Sequence, residues 1–169
     1  LGSERVGEPT INAPDHLRFA DLCLKCYRLT GFDEYRDAAL RYLMRWAVPV
    51  ATAPEIPAAL SQYGEPLSHE SLANDDYLSF VGQLLPADPE LSAAENLIAS
   101  GAVGLFLTAW NETGDERFPA ACERLIDSIL PALAEPAAWQ IPAQIRRYRA
   151  ATGRTRFDGA VGAIPKSAI

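Results

Sequence analysis

The chain has 169 residues, of which 49% are hydrophobic and 22% are charged, and its formal net charge is −7 at pH 7. This composition predicts one folded domain over residues 1–169 with a sizeable core, and it excludes a disordered tail. The acidic balance argues against a nucleic-acid or anionic-membrane surface, because both need clustered lysine and arginine. No apolar run suits a membrane span, the opening residues lack the apolar stretch of a signal peptide, and three cysteines argue against a disulfide framework.

Apolar residues at helical spacing predict helices in the first third of the chain. Leu17, Ala20 and Leu24 share one face of the first predicted helix, and the second, from Tyr35, has a similar face that includes Trp46. No segment shows the alternation of a strand, so the expected class is all-α. Three proline-rich segments are expected to end helices. They lie at residues 49–57, 86–89 and 136–142.

The middle of the chain is its most apolar part. Residues 92–111 are apolar nearly throughout, which predicts one long buried helix in which Gly101 and Gly104 let a neighbour approach closely. Residues 115–133 have one polar and one apolar face, so this helix is expected on the outside of the fold. A buried inner helix followed by an amphipathic outer helix predicts a helical hairpin.

A short motif occurs three times. Each copy has an aromatic residue four or five positions before the glycine of a Thr-Gly pair, and a second aromatic residue four positions after that glycine. The glycine is expected to end one helix in the left-handed conformation, and the polar residues after it start the next. The spacing indicates about four hairpins of roughly 40 residues, with a degenerate copy near residues 72–78. The clear copies are residues 27–35, 110–118 and 148–157.

This arrangement resembles the hairpins of α/α toroids, the barrels of six-hairpin glycosidases, polysaccharide lyases and sugar epimerases. The most similar turn is Thr-Gly-Asp-Glu-Arg-Phe at residues 113–118, and residues 158–167 are similar to a Gly-rich loop of toroid proteins linked to bacterial polysaccharide metabolism. The resemblance implies tandem hairpins with a substrate cleft at one mouth of the barrel. About four hairpins are fewer than a closed toroid has. A fragment of a longer chain, an open arc or closure by self-association through exposed terminal helices is therefore expected.

The resemblance also implies that loops leading into the inner helices hold the chemistry, and four acid/base candidates lie there. Histidine is the natural base near neutral pH, and a carboxylate such as Glu70 would raise the pKa of His69. Glu95 enters the apolar stretch, where a raised pKa suits a general acid, and Asp15 could pair with the histidine that follows it. The alternatives are a solvated loop for His69 and, for Glu95 and Asp15, acids that stabilise helix N-termini.

Six further residues are candidates for binding the saccharide. Aromatic side chains can stack on sugar rings, arginines can clamp carboxylates, and polar side chains near the candidate acids can bind hydroxyl groups. The alternative for the aromatic residues is packing in the core or on the surface, and the alternative for the arginines is a solvated helix face. The six candidates are His16, Asn96, Trp139, Tyr148, Arg154 and Arg156.

For two other motifs a structural role is favoured over a chemical one. Cys23 and Cys26 share one helix face, but they lie in mid-helix and no further ligands are spaced for zinc, so they are expected to be small buried side chains. Asp75 and Asp76 could serve glycoside hydrolysis, yet adjacent residues of a helix point apart, and a helix cap is the favoured alternative. Neither a metal nor an organic cofactor is implied.

Two functions remain open at this point. The first is a carbohydrate-active domain that acts on or binds a poly- or oligosaccharide by acid/base chemistry, as a glycoside hydrolase, polysaccharide lyase or sugar epimerase does. The second is a non-catalytic helical-repeat module for protein–protein interaction. A pocket that joins two candidate acids with aromatic walls would favour the first, and a broad groove with unpaired apolar end helices the second. Free cysteines are compatible with the cytoplasm, but the sequence selects no compartment.

Overall fold

Helices make up most of the structure. A computed structural model describes residues 11–73, 88–134 and 140–162. The expected all-α class is confirmed in its helical content. In the described ranges the helices are α1 (Leu17–Thr30), α2 (Asp33–Thr52), α3 (His69–Ala73), α4 (Pro89–Ala99), α5 (Ala102–Thr113), α6 (Arg117–Ile129), α7 (Gln140–Thr152) and α8 (Asp158–Gly162), with short 3-10 segments at Pro14–His16 and Leu130–Ala134.

A small antiparallel sheet shows that the prediction of no strands is wrong. It contains β1 (Ile11–Asn12), β2 (Ala59–Ser61) and β3 (Pro66–Leu67), in the order β1-β2-β3. Ile11 lies opposite Ser61, and Ala59 lies opposite Leu67. Strands of two or three residues are too short to show alternation in a sequence. The sheet ties the segment before α1 to the loop after α2.

Two helical hairpins lie side by side in the centre of the fold. α1 packs along α2, and α5 packs along α6. In addition α1 contacts α5, and α2 contacts α6, so corresponding helices of the two hairpins are neighbours. α7 packs against both α5 and α6, and α4 packs against the same pair. We call α1, α5 and α7 the inner row.

The core lies where these helices meet. Large side chains from α2, α5, α6 and α7 are almost completely removed from solvent. Burying a side chain of this kind stabilises the fold by about 1.5–3 kcal/mol, so these positions hold the hairpins together. The largest of them are Trp46, Tyr148, Phe106 and Phe118.

The three Thr-Gly turns have the same hydrogen bonds. In the first, the Gly31 N–H donates to the Tyr27 carbonyl at 2.7 Å, and the Thr30 hydroxyl donates to the carbonyl four residues earlier at 2.8 Å. The Phe32 N–H then donates to the Thr30 hydroxyl oxygen at 3.3 Å. The corresponding distances are 2.7, 2.8 and 3.2 Å in the second turn and 2.8, 2.8 and 3.1 Å in the third. The threonine therefore closes the helix end together with a left-handed glycine, at φ 73°, 69° and 69°.

The apolar stretch predicted as one helix is two helices. α4 and α5 meet at an angle of 63°, and Gly101 lies between them with φ 89°. The Ser100 N–H donates to the Asn96 carbonyl at 3.0 Å, and the Gly101 N–H donates to the Ile98 carbonyl at 3.0 Å, which ends α4. Hydropathy could not show this break, because apolar residues continue on both sides of it.

The same pair of helices is the one that meets a test for membrane spans. Over the described residues, no single helix is both long and apolar enough to cross a bilayer, whereas the bent pair of α4 and α5 taken together is, by length and composition only.

One further expectation about the helices needs correction. α2 continues through Pro49 and ends at Thr52, so the joint begins only at Ala53. α6 is amphipathic as predicted, and its polar face has exposed residues such as Arg117 and Asp127, although the Glu123 side chain on that face is only 19% exposed. The degenerate fourth copy of the turn motif, near residues 72–78, lies mostly outside the described residues.

Candidate functional site

The four candidate acid/base residues lie on three separate elements. Asp15 belongs to the 3-10 segment before α1, and Glu95 lies in the middle of α4. His69 and Glu70 begin the short helix α3. Among the described residues no hydrogen bond or ion pair joins any two of the four, and none of them lines the three grooves described below. The segment that holds Asp15 contacts α4, which holds Glu95, so these two elements are neighbours.

Asp15 does not cap a helix with its side chain, so the capping alternative for this residue is wrong. No side-chain hydrogen bond caps α1, and the Asp15 carboxylate instead accepts a hydrogen bond from the buried Ser100 hydroxyl at 3.3 Å. Arg18 approaches the same carboxylate only to 3.8 Å. Asp15 therefore links the start of α1 to the bend between α4 and α5.

His69 has the opposite electrostatic environment from the one predicted. Burial lowers the pKa of His69, and the neighbouring Glu70 side chain is exposed to solvent. The Nε2 atom of His69 is buried without a hydrogen-bond partner in the described structure. The expectation that a carboxylate raises the pKa of His69 is wrong, because desolvation is the dominant effect.

Glu95 and Asn96 are not at a helix start. Because Asp88 caps α4 and the helix begins at Pro89, both residues lie past its first turn, and both are exposed. Glu95 therefore lies on the exposed side of α4, although its neighbours Ala94 and Leu97 are buried. Burial lowers the pKa of His16, the neighbour of Asp15. Among the remaining candidates, Trp139, Asp75 and Asp76 lie outside the described residues.

Tyr148 is a core residue, so its interpretation as a sugar-stacking side chain is wrong. Its side chain is 1% exposed, its ring packs edge-on against Phe157 with centroids 5.5 Å apart, and its hydroxyl donates to the Glu123 carboxylate. Burial raises the pKa of Tyr148, and the hydrogen bond to Glu123 adds to the effect. The packing alternative holds for this aromatic residue.

The two candidate arginines after α7 are held by carboxylates of α6 and the turn before it. Arg154 donates to Glu116 at 2.5 Å and to Glu123 at 3.1 Å. Arg156 donates to Glu123 at 2.6 Å and to Asp127 at 2.6 Å. Both guanidinium groups are thus engaged by the protein's own acids rather than left available to carboxylates of a saccharide.

In this network the pKa values of Glu123 and Asp127 are shifted in opposite directions. Burial alone would raise the pKa of Glu123, but hydrogen bonds from Tyr148 and Arg154 outweigh it and hold the pKa below its usual range. Burial is the main reason that the pKa of Asp127 lies above its usual range, although Arg156 opposes it. The arginines therefore stabilise Glu123 as a carboxylate.

A groove of about 550 Å³ follows the inner row of helices. α1, α5 and α7 form its walls, and the bend at Ser100 and Gly101 lies at one end. Its lining includes both apolar and polar side chains. The polar lining residues are Arg18, Arg28, Arg147, Ser100, Thr108 and Asn111, together with Asp21.

The arginines of this inner groove lack close acidic partners. In the described ranges neither Arg28 nor Arg147 makes an ion pair or a side-chain hydrogen bond, and Arg18 reaches only Asp15, at 3.8 Å, with both side chains 75% exposed. Asp21, the one acid among the lining residues, is 2.6 Å from Lys25. A protein with a net charge of −7 thus has a positively charged groove.

Gly104 makes room for one of these arginines. A Cβ atom at this position would lie 3.2 Å from Nη1 of Arg147, which is closer than such atoms usually approach. The expectation of a close neighbour is confirmed for Gly104, where the neighbour is a guanidinium group of α7, and is wrong for Gly101, where nothing lies within 4 Å of a Cβ atom. Gly104 therefore helps to position Arg147 over α5.

The two other grooves differ in charge from the inner groove. One, also of about 550 Å³, lies along α4 and α6, and its arginines are paired. There Arg124 donates to the carbonyls of Ala53 and Pro54 and lies 3.3 Å from Glu90. A smaller cleft of about 240 Å³ is lined mainly by the proline-rich residues 53–57 and by residues 66–68.

Sequence reasoning missed Arg18 and Arg28. Charged residues of α1 lie at positions 18, 21, 25 and 28, with spacings of three, four and three residues, which places them on one stripe of the helix. That spacing is a usable signal, but the most obvious basic cluster of the sequence lies elsewhere, at Arg146, Arg147, Arg149, Arg154 and Arg156. The fold pairs Arg149, Arg154 and Arg156 of this cluster with acids, whereas Arg147 lines the groove.

Two of the three cysteines are buried in the core, and the third is half-buried. Cys23 is 6% exposed and burial raises its pKa, which confirms the expected role for this residue. Cys26 is half-buried, so the expectation holds less well there. The Cys122 thiol is buried against the Val103 carbonyl at 3.7 Å, and burial also raises its pKa.

Comparison of the chain with family models, with curated proteins and with solved structures finds no match.

Proposed function

We propose that the protein is a carbohydrate-active domain of the α/α-hairpin type that binds an acidic poly- or oligosaccharide in the inner groove. The observation that carries this proposal is the set of three arginines, Arg18, Arg28 and Arg147, that line one groove without close acidic partners. The turn motif's resemblance to the hairpins of α/α toroids supports the carbohydrate class.

Arginine suits this ligand because its planar guanidinium group binds a carboxylate through two parallel hydrogen bonds. Three arginines from α1 and α7 can engage successive carboxylates of one chain, or a carboxylate and neighbouring hydroxyl groups. Their positive charge also attracts an anionic ligand to a protein that is acidic elsewhere.

The rest of the lining suits the other surfaces of a sugar. Thr108 donates its hydroxyl to the Gly104 carbonyl at 2.9 Å, which leaves the hydroxyl oxygen as an acceptor, and the exposed Asn111 offers an amide. Leu24 and Leu105 line the same groove and can cover the apolar faces of the ring. Binding, rather than acid/base catalysis, is the activity that these residues support.

A binding experiment tests the proposal. Calorimetric titration would compare a short oligomer of galacturonic acid with an uncharged glucose oligomer, on the native protein and on Arg147→Gln and Arg28→Gln. We expect the acidic oligomer to bind, the neutral one to bind at least about tenfold more weakly, and each substitution to weaken acidic binding by about 10–100-fold. Added salt is expected to weaken binding as well.

Arg41→Gln is the matched control, because Arg41 is exposed, has no partner in the described structure and does not line the groove. It should leave the affinity unchanged. Equal affinity for the two oligomers, or equal loss in Arg41→Gln and Arg147→Gln, would show that the groove does not recognise the acidic saccharide.

The second candidate is the non-catalytic helical-repeat module. It is favoured by exposed apolar side chains on α1, among which Leu29 is 87% exposed. A protein that binds neither oligomer but retains a partner through α1 would belong to this class.

A further inference from the structure

α1 carries an apolar row on the side that faces away from the core. Phe19, Leu22 and Leu29 are 60%, 56% and 87% exposed, and Cys26 lies between them, half-buried. Their spacing of three, four and three residues places them on one stripe of the helix, and we call these four residues the α1 row. The buried face of the same helix is formed by other residues, such as Leu17 and Ala20.

The α1 row has the dimensions of a helix-docking seam. It extends over about 15 Å of helix, and its spacing is that of the a and d positions of a coiled coil. Phe32, 61% exposed, continues the apolar surface just past the end of α1. A helix laid along this stripe would remove all of these side chains from water.

Two basic residues flank the α1 row on one side. Arg18 and Lys25 immediately precede Phe19 and Cys26 in the sequence, and their side chains are 75% and 60% exposed. In a heptad numbered from Phe19 they take the g positions, which meet the edge of a partner helix. The ion pair of Lys25 with Asp21 is exposed and contributes little, so Lys25 can exchange it for another carboxylate.

We propose that the α1 row docks an amphipathic helix of a partner protein that has apolar residues at the same spacing and Asp or Glu along the edge facing Arg18 and Lys25. A second copy of this chain fits less well. An antiparallel pair of α1 helices would bring the basic residues of both copies together. A parallel pair would place them opposite Cys23 and Thr30, which offer no negative charge. The α1 row itself does not line the saccharide groove, and Lys25 does not either, whereas Arg18 lies at the edge of both surfaces.

Two synthetic helical peptides of about three heptads test this proposal, both with leucine at the a and d positions and one with Glu, the other with Lys, at the flanking positions. Fluorescence anisotropy would give their affinities for the native protein and for two variants. We expect the Glu peptide to bind at least about tenfold more tightly than the Lys peptide. Leu29→Asp should weaken its binding by at least about tenfold, and Lys25→Glu should reduce or reverse the preference.

Tyr63→Ser is the control for nonspecific apolar contact, because Tyr63 is 78% exposed and lies in the β2–β3 turn, away from α1. It should bind the Glu peptide as the native protein does. Equal binding of the two peptides, unchanged binding by Leu29→Asp, or a stable dimer in sedimentation that Leu29→Asp dissociates would each overturn the proposal. Lys25 does not line the groove, so Lys25→Glu separates this result from saccharide binding.

Discussion

The first and second Thr-Gly turns share their hydrogen bonds but differ in what covers their aromatic residues. In the second turn Phe118 is completely buried, with its ring centroid 6.1 Å from that of Phe106. In the first turn the corresponding residue, Tyr35, is 40% exposed, and Phe32 beside it is 61% exposed. The same short motif therefore closes a helix in both places, whereas burial of the aromatic side chain depends on which helices pack against that hairpin.

The motif therefore has two separate roles, which are to end a helix and to pack an aromatic side chain. Ending the helix needs only the threonine, the glycine and nearby backbone, so it works at any position in the fold. Packing the aromatic residue needs a neighbour, and the second hairpin has the first hairpin, α4 and α7 around it. Among the described residues, the aromatic residue of the first turn is left 40% exposed.

Truncation of Phe118 and Tyr35 should give the largest difference in stability between the second and the first turn. Phe118→Ala is expected to lower the free energy of unfolding by about 3–5 kcal/mol, because it leaves a cavity in the core. Tyr35→Ala should lower it by about 1 kcal/mol or less, since much of its side chain is in water. Urea denaturation of both variants measures this difference. Similar losses in the two would mean that the first turn is covered in solution.

The third turn extends the comparison, because a charged network covers its aromatic residues. Glu123→Gln should lower the free energy of unfolding by about 1–3 kcal/mol, since Tyr148 and two arginines lose a carboxylate partner. Glu112→Gln is the control, as Glu112 is exposed and has no partner in the described part of the chain. Equal stability of the two variants would contradict a structural role for the network.

The same substitution should change the dependence of stability on pH. Because the folded pKa of Glu123 is lowered, its contribution is present above the ordinary glutamate pKa of about 4.3 and is lost as the pH falls through the folded value. The raised pKa of Asp127 acts with the opposite sign, so its stabilisation is present at low pH and lost on going up. Glu123→Gln should therefore lose less stability than the native protein on acidification, as measured by denaturation at several pH values.

Substitution of Gly31 and Gly114 by alanine should give the smallest difference in stability between the two turns. Gly31→Ala and Gly114→Ala are each expected to cost about 1–2 kcal/mol, because both glycines have positive φ and an alanine Cβ is strained there. Neither Cβ would meet another atom within 4 Å, so only backbone strain is involved and the two losses should agree closely. Thermal unfolding can compare them. A much larger loss at one position would show that the turns are not equivalent.

The helices and the three turns could be predicted because their signals are local. Apolar spacing, threonine and glycine fix where α1, α5 and α7 end, and the structure has those ends where expected. The bend at Gly101 could not be predicted, since a glycine in an apolar run is compatible with both a continuous helix and a break. The strands were missed because they are only two or three residues long.

The candidate site was harder to predict because it depends on which charges the fold brings together. Arg154 and Arg156 are the most conspicuous basic residues in the sequence, yet acids of another hairpin neutralise them. Arg18 and Arg147 are far apart in the chain, and only packing of α1 and α7 along α5 places them on one groove. Pairing between distant residues leaves no local signal.

Because the hydrogen bonds of each turn are local, a chain of this kind can gain whole hairpins by duplication. All the hydrogen bonds of the first turn lie within residues 26–35, and none depends on a distant segment. A gene segment that encodes one hairpin thus carries its own helix terminator. Duplication of such a segment would add a complete hairpin in one event, and later point mutations would need to adjust only the faces where hairpins meet.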